Sequence, residues 1–327
     1  MRGPGILKGC GVCLLLVFSA GVLKASKLSR QEKAKLAAEA ETFYNEGRYA
    51  EARAKWRAAL DGGATRAESR RWRPELGRAF EAEGNYQKAL AAYQEAFDVD
   101  PKNVDRLVDL ARLYDAVEID DQAIRFYADA HARNRNRRDI SQALARLYKE
   151  AGRLAEAHSL AEAVVHAEPR DYSGQELLAE IEEAQGALVE AAQRRETVLS
   201  MHPTGAGYMV LGRLWAKQNA FEQADVAFRR AIEVGVGEGA DPVFERAVLA
   251  WRQGHLTQAH QFLDQIFRTD PGSFSAGFLS ILIRLDAHDD NGARQQLARL
   301  RVLDPAAQQW KDLLETAIIS RAVKGKP

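Results

Sequence analysis

The sequence predicts an all-α solenoid, a stack of helix-turn-helix units, and three periodic observations carry that prediction. Alanines recur at Ala52, Ala89, Ala123, Ala157, Ala191, Ala224, Ala259 and Ala293, with gaps of 37, 34, 34, 34, 33, 35 and 34 residues. Prolines keep the same beat, since Pro101, Pro169, Pro203, Pro271 and Pro305 stand 68, 34, 68 and 34 residues apart. Within each unit apolar residues fall three and four apart, which is the spacing of one helical face. A period near 34 marks a repeat whose apolar face only its neighbours can cover. Eight such units and a cap use almost all of the 327 residues, so no separate catalytic domain is expected.

The first 25 residues differ in kind from the rest. Arg2 and Lys8 precede an apolar run from Gly9 to Leu23, and Lys24 closes it. A run of this length suits the core of a signal peptide better than a membrane span, which needs about 20 residues. The segment is therefore expected to direct export, to a bacterial periplasm or cell envelope. Cleavage and retention as a membrane anchor through residues 9–23 both remain open, because Gly21 has the small Ser19 two residues before it whereas Ala25 has Leu23 there. Both cysteines, Cys10 and Cys13, lie in this run as a C-x-x-C pair. With no βαβ context and no second ligand pair, the spacing reads as part of the export segment rather than as redox or metal chemistry. They also precede most of the apolar core, whereas a lipidated cysteine follows it. Removal of the segment would leave a chain without cysteine and without disulfides.

The second unit shows how the residues specify two helices. Leu76, Gly77 and Phe80 share one face of a first helix, and Gly84 is placed to end it in the left-handed conformation. Tyr86, Ala89, Tyr93 and Ala96 then line a second helix, which Pro101 cannot continue. The first unit carries Phe43, Gly47, Tyr49, Ala52, Trp56 and Ala59, and the third Leu110, Ala111, Tyr114, Ala123, Tyr127 and Ala130. The fourth has Leu144, Ala145, Tyr148, Gly152, Ala157 and Pro169, and the sixth Leu211, Gly212, Trp215, Phe221, Ala224, Phe228 and Ala231. The last two keep Gly254, Ala259 and Pro271, then Ala293, Leu297 and Pro305.

This pattern resembles the tetratricopeptide repeat (TPR) family from about Lys33 to Pro305. The resemblance implies a right-handed superhelical solenoid with the first helices on its concave side. Residues 306–322, with Trp310, Leu313, Leu314, Ala317 and Ile318 in an amphipathic stripe, are expected to form a C-terminal capping helix. Residues 323–327 are expected to be a disordered tail. Unit five departs from the pattern, because Glu182 and Arg195 stand at its two aromatic positions. They are expected to pair with each other. An exposed pair is worth at most about 1 kcal/mol, which would make this the softest joint of the array.

Lys plus Arg equals Asp plus Glu at 46 each, so the chain has no net positive field to draw it onto nucleic acid. Arg133, Arg135, Arg137 and Arg138 form a local basic stretch that reads as a solvated loop. The histidines share no ligand spacing, and no H-E-x-x-H, Walker loop or G-x-S-x-G elbow occurs. Gly235, Gly237 and Gly239 follow a helix rather than a strand and read as a loop. No enzyme activity, cofactor or metal is therefore expected.

Function is expected on the surface that the array creates. The resemblance points the residue after the small one in each first helix into the groove. That column reads Glu41, Arg78, Arg112, Arg146, Glu180, Arg213, Val248 and Leu282. Its arginines could hold the carboxylates of an acidic peptide or a chain end, or could simply be helix formers beside Glu81, Asp115 and Glu150. Further along, Phe244, Val248, Trp251, Phe278, Leu282 and Leu285 make the same face apolar, either as a partner site or as packing between terminal repeats. Arg78, Arg112, Arg146, Arg213, Phe244, Trp251, Phe278 and Leu282 are thus the candidate partner-binding residues. The expected function is an exported, non-catalytic scaffold that holds a protein or peptide in its groove, as in a secretion, pilus, outer-membrane or polysaccharide-export assembly. The alternatives are a self-assembling structural protein, with homo-oligomers, or a helical-repeat RNA binder, which the neutral charge opposes.

Overall fold

The computed structural model describes residues 27–237 and 241–303. Sixteen helices and no strands lie among the described residues, in eight consecutive pairs. The pairs are α1 (Arg30–Asn45) with α2 (Tyr49–Asp61), α3 (Arg66–Ala82) with α4 (Tyr86–Val99), α5 (Val104–Ala116) with α6 (Asp120–Arg133), and α7 (Arg138–Glu150) with α8 (Leu154–Ala167). They continue with α9 (Tyr172–Gln185) and α10 (Leu188–Met201), α11 (Gly205–Lys217) and α12 (Phe221–Val234), α13 (Pro242–Arg252) and α14 (Leu256–Thr269), and α15 (Phe274–Asp286) and α16 (Asp290–Leu303). The fold is the all-α repeat solenoid that the periodicity predicts. The export segment with Cys10 and Cys13, Gly239, Pro305, the capping helix and the tail lie outside the described residues. No described helix is long and apolar enough to cross a membrane.

The two helices of each pair begin differently, and the sequence shows why. First helices follow a loop, and seven of the eight are capped by side chains: Ser29, Thr65, Asn103, Asp171, Thr204, Asp241 and Ser273 accept from first-turn N–H groups, whereas α7 has no side-chain cap at Arg137. Most second helices lack such a cap, because the turn within a pair satisfies the backbone itself. Gly84 has φ +72°, and the N–H of Asn85 reaches back to the carbonyl of Phe80 at 2.9 Å. That is the closure glycine allows without a Cβ clash. Where the sequence offers no glycine, Glu118, Asn219 and His288 take the left-handed conformation instead, with φ of 58–59°.

The chain divides into two compact units, one ending at Phe126 and one beginning at Tyr127, within α6. In the first unit Trp56, Trp72, Phe80 and Tyr93 fill the space beside the alanine column, where Ala52 and Ala89 are fully buried. Tyr86 does not join them; it is 43% exposed at the first turn of α4. The opening gap of 37 residues arises because α3 is 17 residues long, against 13 for α5 and α7. This longer helix also absorbs the buried Pro74, which cannot donate a hydrogen bond to the preceding turn.

At the start of this unit Lys33 is buried, and its Nζ donates to Glu68 Oε2 at 2.7 Å and to the Gly63 carbonyl at 3.1 Å. Glu68 also accepts from the N–H of Thr65 at 2.7 Å. The Lys33 ammonium first, and the Thr65 N–H second, hold the Glu68 carboxyl well below its usual value of 4.5, at about 2. A lowered folded-state value stabilises the fold above the unfolded one, so this contribution is complete above pH 4.5 and is lost as pH falls toward 2. The expected result is that Glu68→Gln flattens the acid limb of stability between those pH values, measured by urea unfolding at each pH. An unchanged acid limb would exclude Glu68 from the effect.

The second unit contains the fifth pair, and here the expected partner is wrong. Glu182 is bound by Arg194, not Arg195: Arg194 Nη2 lies 2.7 Å from Glu182 Oε1, and its Nε donates to both carboxylate oxygens at 3.0 and 2.9 Å. Arg194 Nη1 also donates to Gln175 Oε1 at 2.8 Å, and Gln175 Nε2 to the Pro169 carbonyl at 3.1 Å. Glu182 and Arg195 are only 4% and 5% exposed, so the energetics of an exposed pair do not apply. The reason is helical geometry. Arg194 and Arg195 point about 100° apart, so only one of them faces α9 at Glu182.

Candidate functional site

First helices of neighbouring pairs lie beside one another, α3 beside α5 in the first unit, and α7 beside α9 and α13 beside α15 in the second. Together they form a continuous face within each unit. The candidate arginines stand in these first helices, and each has a carboxylate of its own. In the first unit Arg78 lies 3.1 Å from Glu75, and Arg112 lies 3.0 Å from Glu81 and 3.3 Å from the Tyr93 hydroxyl. In the second, Arg146 lies 3.0 Å from Glu150 and Arg213 2.7 Å from Glu245. Pairing does not seal them, because their side chains remain between 39% and 54% exposed. Surface pairs of this kind contribute about 0–1 kcal/mol and exchange readily for another carboxylate.

The apolar candidates are half-buried and pack partly on their own repeats. Phe244, Val248 and Trp251 lean on the core between α13 and α15, and the Trp251 indole N–H donates to Asp286 Oδ2 at 2.6 Å. Phe278 and Leu282 cover the core between α15 and α16, where Phe274 stacks on Phe278 with ring centroids 6.3 Å apart. Leu285 is not part of the face; it is 5% exposed, inside that core. It stands three residues after Leu282 and so has turned toward α16.

Within the second unit a cavity of about 650 Å³ opens among α7, α9, α10 and α11. Leu177 and Val210 stand on its walls, and Val198 and Leu199 of α10 form an apolar floor. Arg146, Glu176 and Glu180 give it a charged rim, with Lys149 holding Glu180 at 2.6 Å. Tyr172, 51% exposed, stacks on His202 at 4.9 Å and 12° and closes one end. Small residues line part of this space: Ser173 at the start of α9, and Ala206 and Gly207 at the start of α11, where a Cβ on Gly207 would stand 2.6 Å from Leu199.

Of the expected site residues, only Arg146 lines this cavity. The column reading missed Tyr172, Leu177, Arg195 and His202, because it followed one position per repeat. The signal that locates them is the run of small residues at two successive first-helix starts, where other repeats carry larger side chains such as Trp72 and Ile140. Among the described residues, no group of three or more His, Cys, Asp or Glu side chains is placed to hold a metal ion.

These features define a helix-pair repeat protein whose first helices present a lined, partly charged face. Residues 81–117 and 121–181 match the sequence profile of the tetratricopeptide repeat. The eight helix pairs share the architecture of tetratricopeptide repeats, and the family's profile matches the chain within residues 81–181. No curated protein matches the sequence significantly. Among solved structures, a tetratricopeptide repeat protein from Parabacteroides merdae is 16% identical, with a TM-score of 0.50 over 87% of this chain and 98% of its own. At that identity the likeness concerns the fold. PilF of Pseudomonas aeruginosa (20% identity, TM-score 0.49, 64% of this chain and 96% of its own) is also similar. So is PilW, a type IV pilus biogenesis factor (19%, 0.49, 65% and 98%).

Proposed function

We propose that this protein is a non-catalytic scaffold of the cell envelope that binds a segment of a partner protein along the face of its first helices. The observation that carries this reading is the 650 Å³ cavity across α7, α9 and α11, in which an apolar floor meets a charged rim. That combination is suited to an extended peptide, whose side chains enter pockets while its polar groups stay at the rim. Arg78 and Arg112 in the first unit, and Arg213, Phe244, Trp251, Phe278 and Leu282 in the second, extend the same chemistry over the rest of each face. Export rests on the apolar run from Gly9 to Leu23. A secretion, pilus, outer-membrane or polysaccharide-export assembly is the setting such a scaffold would serve.

A photo-crosslinking amino acid at Val210, inside the cavity, should capture a discrete partner in the native host, whereas one at the solvent-facing Glu162 of α8 should not. Charge reversal at Arg78, Arg112 and Arg146 should weaken recovery of that partner without loss of helicity. Equal capture from both positions, or unchanged recovery, would refute binding on this face. The same preparation tests export, since an intact Met1 in a purely cytosolic protein would overturn it.

A further inference from the structure

The inference concerns Arg195 and rests on the reading that the first-helix face holds a partner segment. This arginine occupies an aromatic position of the repeat, yet it is not needed to neutralise Glu182, which Arg194 already saturates. Its side chain is 6% exposed and lines the cavity beside Leu177, Val198 and Val210. Among the described residues its one hydrogen bond runs from Nη1 to Glu176 Oε1. Nη2 is 3.8 Å from Glu183, which Lys217 already holds at 2.8 Å. Nε is buried and has no partner. A guanidinium carries five N–H donors, and leaving them unsatisfied out of water is costly. Arg195 is therefore an under-coordinated cation at the floor of an open apolar cavity.

Glu176 is the counterpart that makes the site addressable. It is 37% exposed at the rim, so its carboxylate can swing into solvent and leave the guanidinium open to the cavity. We propose that Arg195 is the receptor for a carboxylate of the bound segment, that an apolar side chain next to that carboxylate fills the cavity, and that Glu176 is its internal competitor. The chemistry recognised is an apolar residue adjoining a carboxylate. An acidic side chain and a chain end both supply it.

The test uses the full chain and three peptides carrying an uncharged boron-dipyrromethene label at the N-terminus, read by fluorescence anisotropy. The first is Ser-Leu-Glu-Leu-Ser amide, with a side-chain carboxylate only. The second replaces Glu with Gln and has no carboxylate in peptide or label. The third is the Gln peptide as a free acid, with a chain-end carboxylate only. At least one carboxylate peptide should bind tenfold or more tightly than the neutral one, and which of the two does so identifies the source. Arg195→Met should remove that preference with helicity retained. Glu176→Gln should strengthen binding of the preferred peptide threefold or more, an effect no structural role for Glu176 would give. Equal binding of all three peptides, a preference that survives in Arg195→Met, or weaker binding in Glu176→Gln would overturn the proposal. If these fail while Val210 still captures a partner, the carboxylate receptor falls and partner binding on this face stands. If Val210 also captures nothing, the wider reading falls.

Discussion

Replacing Arg194 with methionine should cost about 3 kcal/mol of stability in the second unit, whereas the same change at Arg195 should cost less than about 1 kcal/mol. The two residues are adjacent in α10 and chemically identical, so the contrast isolates their surroundings. Without Arg194, the carboxylate of Glu182, whose side chain is 5% exposed, loses three hydrogen bonds and has no route to water. A buried charge stripped of its partner is the costly half of a salt bridge. Without Arg195, the groups released are Glu176, which is 37% exposed, and Glu183, which retains Lys217. Methionine fills much of the volume of either arginine stem, so packing loss is similar in both variants. Urea unfolding, with hydrogen exchange localised to α9 and α10, measures the difference. Equal costs would mean that the Arg194–Glu182 network is not what holds the fifth repeat together. A double change of Glu182 and Arg194 to leucine should recover most of the loss, because apolar replacement of a whole buried pair is often neutral or better.

That contrast also marks where the sequence was legible and where it was not. The alanine column gave the register of eight helix pairs, because a backbone approach at fixed intervals tolerates little else; Ala157, Ala191 and Ala224 are all fully buried. Register also put Arg146 and Arg213 within first helices, α7 and α11. It could not choose between Arg194 and Arg195, since that choice depends on a rotation of one residue and on which neighbour α9 presents. The cavity was hidden for a related reason. It depends in part on the side chain missing at Gly207, where a Cβ would stand 2.6 Å from Leu199, and an absence has no period.

The paired arginines and the cavity differ in what they can contribute to recognition. Arg112 and Arg213 are about half exposed and already paired, so a ligand carboxylate there replaces one surface pair by another for little net gain. Their effect belongs to orientation and encounter rate, both weakened by salt. The cavity on α7, α9 and α11 can exclude water from an apolar group, at about 25 cal/mol per Å² buried. Affinity should therefore concentrate there, and the arginine column should tune it.

Substituting Gly212 with valine should destabilise the second unit by about 3 kcal/mol, and even alanine should lower stability although it favours helix formation. Gly212 lies within α11, where glycine costs roughly 0.5–1 kcal/mol relative to alanine. Propensity alone thus predicts stabilisation by Gly212→Ala. Packing predicts the reverse, because a Cβ would stand 2.5 Å from Cε1 of Phe228 and 2.7 Å from its Cδ1. Phe228 is fully buried, among Met209, Ala224, Ala231 and Leu249, so its ring cannot yield into solvent. Relief requires α11 and α12 to move apart, which loosens that whole cluster; overpacking of this kind typically costs about 1–3 kcal/mol. The strain has a single source, so Phe228→Leu should be less harmful in the Gly212→Ala background than in the native chain. A double-mutant cycle by thermal or urea unfolding gives this coupling directly. Additive losses would show that the ring is not what excludes a side chain at this position, and a stabilising Gly212→Ala would show that helix propensity outweighs the contact.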